Sequence, residues 1–182
     1  MIHFWKHKQT HHPLGGPRNP LPLTLRWGQL NDLPDILTIE NEAFPTPWRA
    51  REFRYYLAEP NTLLIIAEHA NQIVGYVAYQ AIPRRMSLDN LAVHADWRRH
   101  KVATRLIESL KNKLKRPIVT IGTEVRERNL PTQILLRSCR FQCTETIRGV
   151  YDDTNEDSYI FEYDLIPTPD WTKNRLARFF DR

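Results

Sequence analysis

The chain has little of what would staple it, anchor it in a bilayer or build a metal centre. Only two of its 182 residues are cysteine, Cys139 and Cys143. That is too few for a disulfide scaffold, and with no His pair nearby their spacing is not a zinc signature. The longest wholly apolar run, Leu63-Leu64-Ile65-Ile66-Ala67, falls far short of the ~18–20 residues that cross a membrane. The first residues interrupt their apolar content with His3, Lys6, His7 and Lys8, unlike the continuous core of a secretory signal. The expectation is a cytoplasmic protein with reduced cysteines, no metal and no transmembrane segment. There is no internal repeat.

Charge of one sign is also missing from the middle of the chain. The formal net charge is +5, yet residues 21–165 carry 19 basic and 19 acidic side chains. The excess lies in residues 1–20 and 166–182, so total charge gives no footprint for a specific nucleic-acid partner. Three segments are expected. Residues 1–20, rich in His, Pro and Gly, read as a flexible leader, and 21–165 as one globular domain with a full core. Residues 166–182 read as a basic tail in which Trp171, Leu176, Phe179 and Phe180 interleave with Lys173, Arg175 and Arg178, the pattern of a short amphipathic helix.

Periodicity orders the domain. A short strand, Leu23 to Trp27, precedes a helix capped by Asp32 with Pro34 in its first turn. A second helix is predicted from Thr46-Pro47, with Phe53, Tyr56 and Leu57 on one face. Leu63–Ala67 and Ile73–Tyr79 read as a hairpin of central strands covered on both faces. Met86–Val93 is a third strand, followed by a helix with Ala103, Leu106, Ile107, Leu110 and Leu114 on one side. Ile118–Val125 is a strand, Asn129 and Pro131 open another helix, and Phe141–Arg148 and Ser158–Leu165 close the domain. The fold class is α/β (α+β): a mixed, mostly antiparallel sheet with helices on both faces and one crossover between 86 and 125.

The chemistry concentrates where the third strand runs through Trp97-Arg98-Arg99-His100-Lys101 into its helix. Unpaired amides and the positive end of a helix dipole meet there, an anion site suited to a pyrophosphate. From the residues alone, a bound pyrophosphate and an unliganded basic helix start fit equally well.

Asn90-Leu91-Ala92-Val93 followed by Arg98-Arg99-His100-Lys101-Val102-Ala103 resembles the acetyl-CoA motif of the GNAT acyltransferase superfamily, Q/R-x-x-G-x-G/A. Three more stretches, Glu42-Ala43-Phe44-Pro45-Thr46-Pro47-Trp48, Glu124-Val125-Arg126-Glu127-Arg128-Asn129, and Arg148-Gly149-Val150-Tyr151 with Asp157, are similar to segments of the ribosomal-protein N-terminal alanine acetyltransferases. The resemblance spans about 23–165 in the family order. It implies a GNAT fold and transfer of acetyl from acetyl-CoA to an amine, a protein or peptide N-terminus or a small amine. It further implies that the backbone of Leu91, Ala92 and Val93 pairs with the pantetheine arm. The amides of Arg99, His100, Lys101, Val102, Ala103 and Thr104 would wrap the pyrophosphate, Arg98 and Arg99 adding charge-assisted contacts. Asn129 would cap a helix and touch the cofactor, Glu124 would act as general base, and Trp48 and Tyr151 would face the acceptor.

Two positions depart from that pattern. Lys101 stands where the loop has its first Gly, and Leu136 stands where a Tyr would protonate the departing thiolate, with Arg140 in place of a following Gly. Tyr151 and Ser138 are the candidate stand-ins. These departures motivate two other readings: a small-molecule amine acyltransferase and a weakened acyl-CoA-binding module. The acidic residues Asp152, Asp153, Glu156 and Asp157 are a candidate lure for a cationic acceptor, and otherwise a solvated hairpin tip. The oligomeric state is left open.

Overall fold

The structure, a computed structural model, describes residues 21–151 and 155–165. The leader expected over 1–20, the tail expected over 166–182, and Asp152 and Asp153 lie outside the described residues. Strand β1 (Thr24–Trp27) is followed by helices α1 (Leu33–Ala43) and α2 (Ala50–Ala58), then by strands β2 (Thr62–His69), β3 (Gln72–Ile82) and β4 (Arg85–Val93). Helix α3 (Val102–Lys111), β5 (Thr120–Arg126), α4 (Leu130–Ser138), β6 (Gln142–Tyr151) and β7 (Glu156–Asp164) complete the order. The seven strands form one sheet, β1-β2-β3-β4-β5-β7-β6. All neighbours are antiparallel except β4 and β5, joined by the crossover through α3.

Strand alternation sends each central strand into two cores. Leu64 and Ile66 of β2 pack with Ile36, Ile39 and Phe53 of α1 and α2. Ile65 and Ala67 pack on the other side with Leu106, Ile107 and Leu110 of α3. Each fully buried Leu or Ile contributes about 1.5–3 kcal/mol, and truncating Leu106, which has no exposed surface, to Ala removes about 2–5 kcal/mol.

At three helix ends the structure departs from the sequence expectation for local reasons. Helix α2 starts at Ala50 rather than Thr46, because the buried Glu40 carboxylate accepts from Trp48 N at 2.8 Å and the residue before Pro47 is driven away from helix. Glu52 then caps α2 by accepting from Arg49 N at 2.7 Å. Leu114 lies beyond the end of α3 and still reaches the core. Asp32 sits at the N-cap position of α1 without capping it. Its carboxylate is taken by Arg26, through two hydrogen bonds of 2.8 and 2.9 Å, and by Gln29 N at 2.7 Å, and Arg26 holds its pKa below the usual carboxylate range.

Candidate functional site

The site begins where the sheet comes apart. β4 and β5 pair only through Arg85, Ser87 and their neighbours, ending at Ser87 opposite Gly122. Beyond that point β4 stays with β3, through a bulge in which Asp89 is the extra residue, and β5 stays with β7, Glu124 opposite Ile160. The backbone of Leu91 to Val93 therefore borders a gap on its β5 side. Thr123 Oγ1 still reaches Leu88 O across it at 2.9 Å. The side chains of Leu91 and Ala92 are buried in the two opposite cores, so only their backbone is offered to the gap.

On the α3 face, the loop after β4 is folded into an anion-binding shape. Arg99 and Lys101 both have positive φ, 66° and 60°, which curls successive N–H groups toward one side. Lys101 directly precedes α3 in the left-handed conformation, no side chain caps the helix, and its first turn holds no acid. The first-turn amides thus lack intrahelical acceptors. The conformation that glycine adopts freely is required at 101, so the departure from the motif carries strain of roughly 1–2 kcal/mol.

A cleft of about 500 Å³ opens in front of these amides, lined by Val93, Arg98, Arg99, Lys101, Val102, Ala103 and Thr104 on one side and by Pro131, Ile134, Leu135 and Ser138 of α4 on the other. Arg98 Nε donates to Val93 O at 3.2 Å, while its Nη2 is buried with no hydrogen-bond partner among the described residues. Burial lowers its pKa. An orphaned guanidinium nitrogen in a cleft floored by free amides fits a phosphate group. Four expected members, Leu91, Ala92, His100 and Asn129, stand apart from the lining, the first two with side chains buried in the cores. His100 turns its ring back to Arg98 O at 2.9 Å, and Asn129, almost fully buried, caps α4 by accepting from Thr132 N at 3.4 Å.

On the α1/α2 face, Glu124 is held by two hydroxyls. Ser158 Oγ donates to its Oε1 at 2.7 Å and Tyr151 OH donates to the same atom at 3.1 Å. Arg126 and Arg128, the cations available to neutralise Glu124 in sequence, are instead turned to Glu156, at 3.3 and 3.7 Å. The Arg126 guanidinium also lies 3.8 Å from the centre of the Tyr151 ring. Burial, with the Glu124 charge behind it, pushes the Tyr151 phenol up to about 12. Glu156 is 5% exposed, so this member of the acidic segment is a buried counter-ion rather than part of a solvated tip.

Leu136 has no exposed surface and belongs to the α3-side core. Of its candidate stand-ins, Ser138 spends its hydroxyl on Leu135 O at 2.7 Å, and Tyr151 contacts Glu124. Trp48 packs edge-on to Phe53 and tilted against Tyr56, ring centres 5.2 and 5.1 Å apart, and lines a pocket of about 440 Å³ with Tyr55, Tyr56 and Glu52. Sequence reading missed Ser158 and Asp89. Ser158 is one serine in an unremarkable strand, and the face on which Asp89 stands is set by a bulge that no pattern announces. Among the described residues no group of three or more His, Cys, Asp and Glu side chains is placed to hold a metal ion, and no helix is long and apolar enough to cross a membrane.

The sequence profile of the acetyltransferase (GNAT) family matches residues 33–141. An N-alpha-acetyltransferase of Saccharolobus solfataricus is 26% identical over 151 residues, covering 75% of this chain and 90% of that protein. The [ribosomal protein bS18]-alanine N-acetyltransferase of Escherichia coli is 27% identical over 135 residues, covering 72% and 90%. The crystal structure of the ribosomal-protein-S18-alanine N-acetyltransferase from Escherichia coli superposes with a TM-score of 0.73 at 25% identity, over 82% of this chain and 97% of that one.

Proposed function

The chain belongs to the acetyltransferase (GNAT) family, and on that premise we propose that its acceptor is the α-amino group of a protein or peptide N-terminus. The enzyme is an acetyl-CoA-dependent N-acetyltransferase. The N-terminal acceptor is supported by the names of its relatives from Saccharolobus solfataricus and Escherichia coli, which cover most of this chain. A cytoplasmic setting goes with that substrate, and residues 21–165 form the catalytic unit.

In this reading the two faces of the sheet divide the work. The amides from Arg99 to Thr104, with Arg98 and the Lys101 ammonium, hold the pyrophosphate in the cleft at the start of α3. The backbone of Leu91 to Val93 holds the pantetheine arm along the open edge of β4. The thioester is thereby delivered to the gap, and the acceptor reaches it from the other face, past Trp48 and Tyr151.

The observation that carries the reading is Glu124. Both of its hydroxyl donors lie on Oε1, so Oε2 has no hydrogen-bond partner among the described residues and no cation is paired with the carboxylate. An N-terminal ammonium has a pKa near 7.7–8.0, and a carboxylate held in place beside it serves as its base. Glu124 takes one proton from the ammonium and passes it to solvent, the freed amine attacks the acetyl carbonyl and the C–N bond forms, and as the C–S bond breaks to release a thiolate the attacking nitrogen gives up its second proton to Glu124. A thiol of pKa about 8.5 leaves tolerably without a proton donor, which the buried Leu136 cannot be. The missing acid costs about 10²–10⁴ in rate unless another hydroxyl supplies it, and Tyr151 is the one that touches the base.

Glu124→Gln tests this. Turnover falls by about 10²-fold or more, while the rise in melting temperature caused by acetyl-CoA, about 2.7 kcal/mol at 100 times its Kd, is retained. Undiminished turnover removes Glu124 from the reaction, and loss of the thermal shift makes its role structural.

A further inference from the structure

The roles above leave one charged residue at the gap without a task. Asp89 is the extra residue of the β4 bulge: Ala78 opposes Asn90 and Tyr79 opposes Leu88, so no β3 residue opposes Asp89. It stands two residues past Ser87, the last β4 position to pair with β5. Residues side by side in neighbouring strands share a face, and residues two apart along a strand share it too. Ser87 lies beside Gly122, so Ser87, Gly122 and Glu124 belong to the α1/α2 face, and the bulge residue Asp89 is placed there by its bond to Tyr56 of α2. Ser87 Oγ donates to Asp89 Oδ1 at 2.5 Å, and Tyr56 OH, from α2, donates to Oδ2 at 2.7 Å. The gap therefore has a carboxylate on each bank, each fixed by two hydroxyls, and both on the face from which the acceptor comes.

One carboxylate suffices to remove a proton, and Glu124 has that task. The acceptor nevertheless arrives mostly as a cation near neutral pH, and must shed water to enter the gap. We propose that Asp89 is the carboxylate that seats the acceptor, selecting cationic amines by holding the ammonium on the β4 bank while Glu124 takes one of its protons from the β5 bank. The proposal rests on the reading of the gap as the place of acetyl transfer to an amine.

The test is steady-state acetyl transfer by the full chain, with acetyl-CoA and a panel of free-amine hexapeptides beginning with Ala, Ser or Lys, together with spermidine. On the acceptor that the wild type prefers, Asp89→Asn raises the acceptor KM about tenfold while kcat and the acetyl-CoA KM stay within about twofold. Asp89→Glu recovers most of the loss. Raising NaCl from about 50 to 500 mM weakens acceptor binding by the wild type more than by Asp89→Asn, in which one of the two screened carboxylate charges is gone and Glu124 remains. A merely structural Asp89 would lower melting temperature and kcat and leave the salt dependence of the acceptor KM intact. That result, or an unchanged acceptor KM in Asp89→Asn, overturns the assignment of Asp89 alone. A wild type that acetylates no member of the panel overturns the acceptor reading and this proposal with it.

Discussion

Replacing Lys101 separates what its backbone costs from what its ammonium contributes. The residue stands before α3 at φ 60° and ψ 19°, where an L side chain loses roughly 1–2 kcal/mol to crowding between Cβ and the next carbonyl. Lys101→Ala keeps that strain and deletes the charge, whereas Lys101→Gly deletes both. Glycine carries an offsetting cost of about 0.5–1 kcal/mol, because its unfolded chain has more freedom to lose. The Gly variant is therefore more stable than the Ala variant by about 0.5–1 kcal/mol, which is a rise of about 1–4 °C in melting temperature for a chain of this size. Acetyl-CoA affinity obeys a different rule. Lys101 is exposed, so its ammonium is worth about 0.2–1 kcal/mol to a phosphate, and both variants bind up to about fivefold more weakly by calorimetry. Equal melting temperatures for Ala and Gly refute the strain argument. Affinity unchanged in both refutes a phosphate contact by the ammonium.

Two further outcomes follow from buried residues. Leu136→Tyr, which restores the acid of the resembled family in sequence, forces a ring and a hydroxyl into a position with no exposed surface and costs about 1–3 kcal/mol. A thermal scan showing no loss, with a higher kcat, would contradict this. Glu40, 1% exposed, accepts from Trp48 N at 2.8 Å, from Asn90 Nδ2 at 3.2 Å and from Tyr76 OH, and its burial raises its pKa against the pull of those donors. The folded chain thus holds this proton more tightly than the unfolded one. As pH climbs from the ordinary carboxylate range, near 4.3, through the raised value, stability falls by up to about 1.4 kcal/mol per pH unit from this group. Glu40→Gln turns an amide N–H2 toward those donors and is less stable by about 1–3 kcal/mol, but lacks that slope. The gap between wild-type and variant melting temperatures narrows as pH rises, and a gap that stays constant refutes the raised pKa.

How much of this was legible depended on whether a residue's task was repeated along the chain. Leu106, Ile107 and Leu110 announce α3 because helical spacing recurs, and the alternation of Leu64, Ile65, Ile66 and Ala67 announces a strand covered twice. The loop at Arg98 to Ala103 was legible as an anion site because basic residues meet a helix start. Asp89 is different: its direction depends on one inserted residue, and the same letters without the bulge place it elsewhere. Glu156 reads as surface charge until Arg126 and Arg128 are brought to it from another strand. Arg140, at φ 65°, and Lys101 hold left-handed positions that their residue types do not signal. The start of α2 was misplaced because Trp48 N–H is claimed by Glu40, eight residues earlier in sequence, a contact outside any local pattern.

The brief pairing of β4 with β5 makes the sheet, in mechanical terms, two sheets sharing a seam. One part, β1 to β4, is clamped between α1, α2 and α3. The other, β5, β7 and β6, ends in a strand whose residues 142–150 are all exposed. Opening that second part breaks the seam and also pulls Ile121, Val125, Leu136 and Phe161 out of the core they share with α3, so it is the exposed edge strand β6 that has the lower local unfolding free energy and the faster amide exchange. A donor lying along the free edge of β4 and an acceptor resting against Glu124 would bridge the seam, and the reactants would then join on one face of the sheet what the shared core joins on the other.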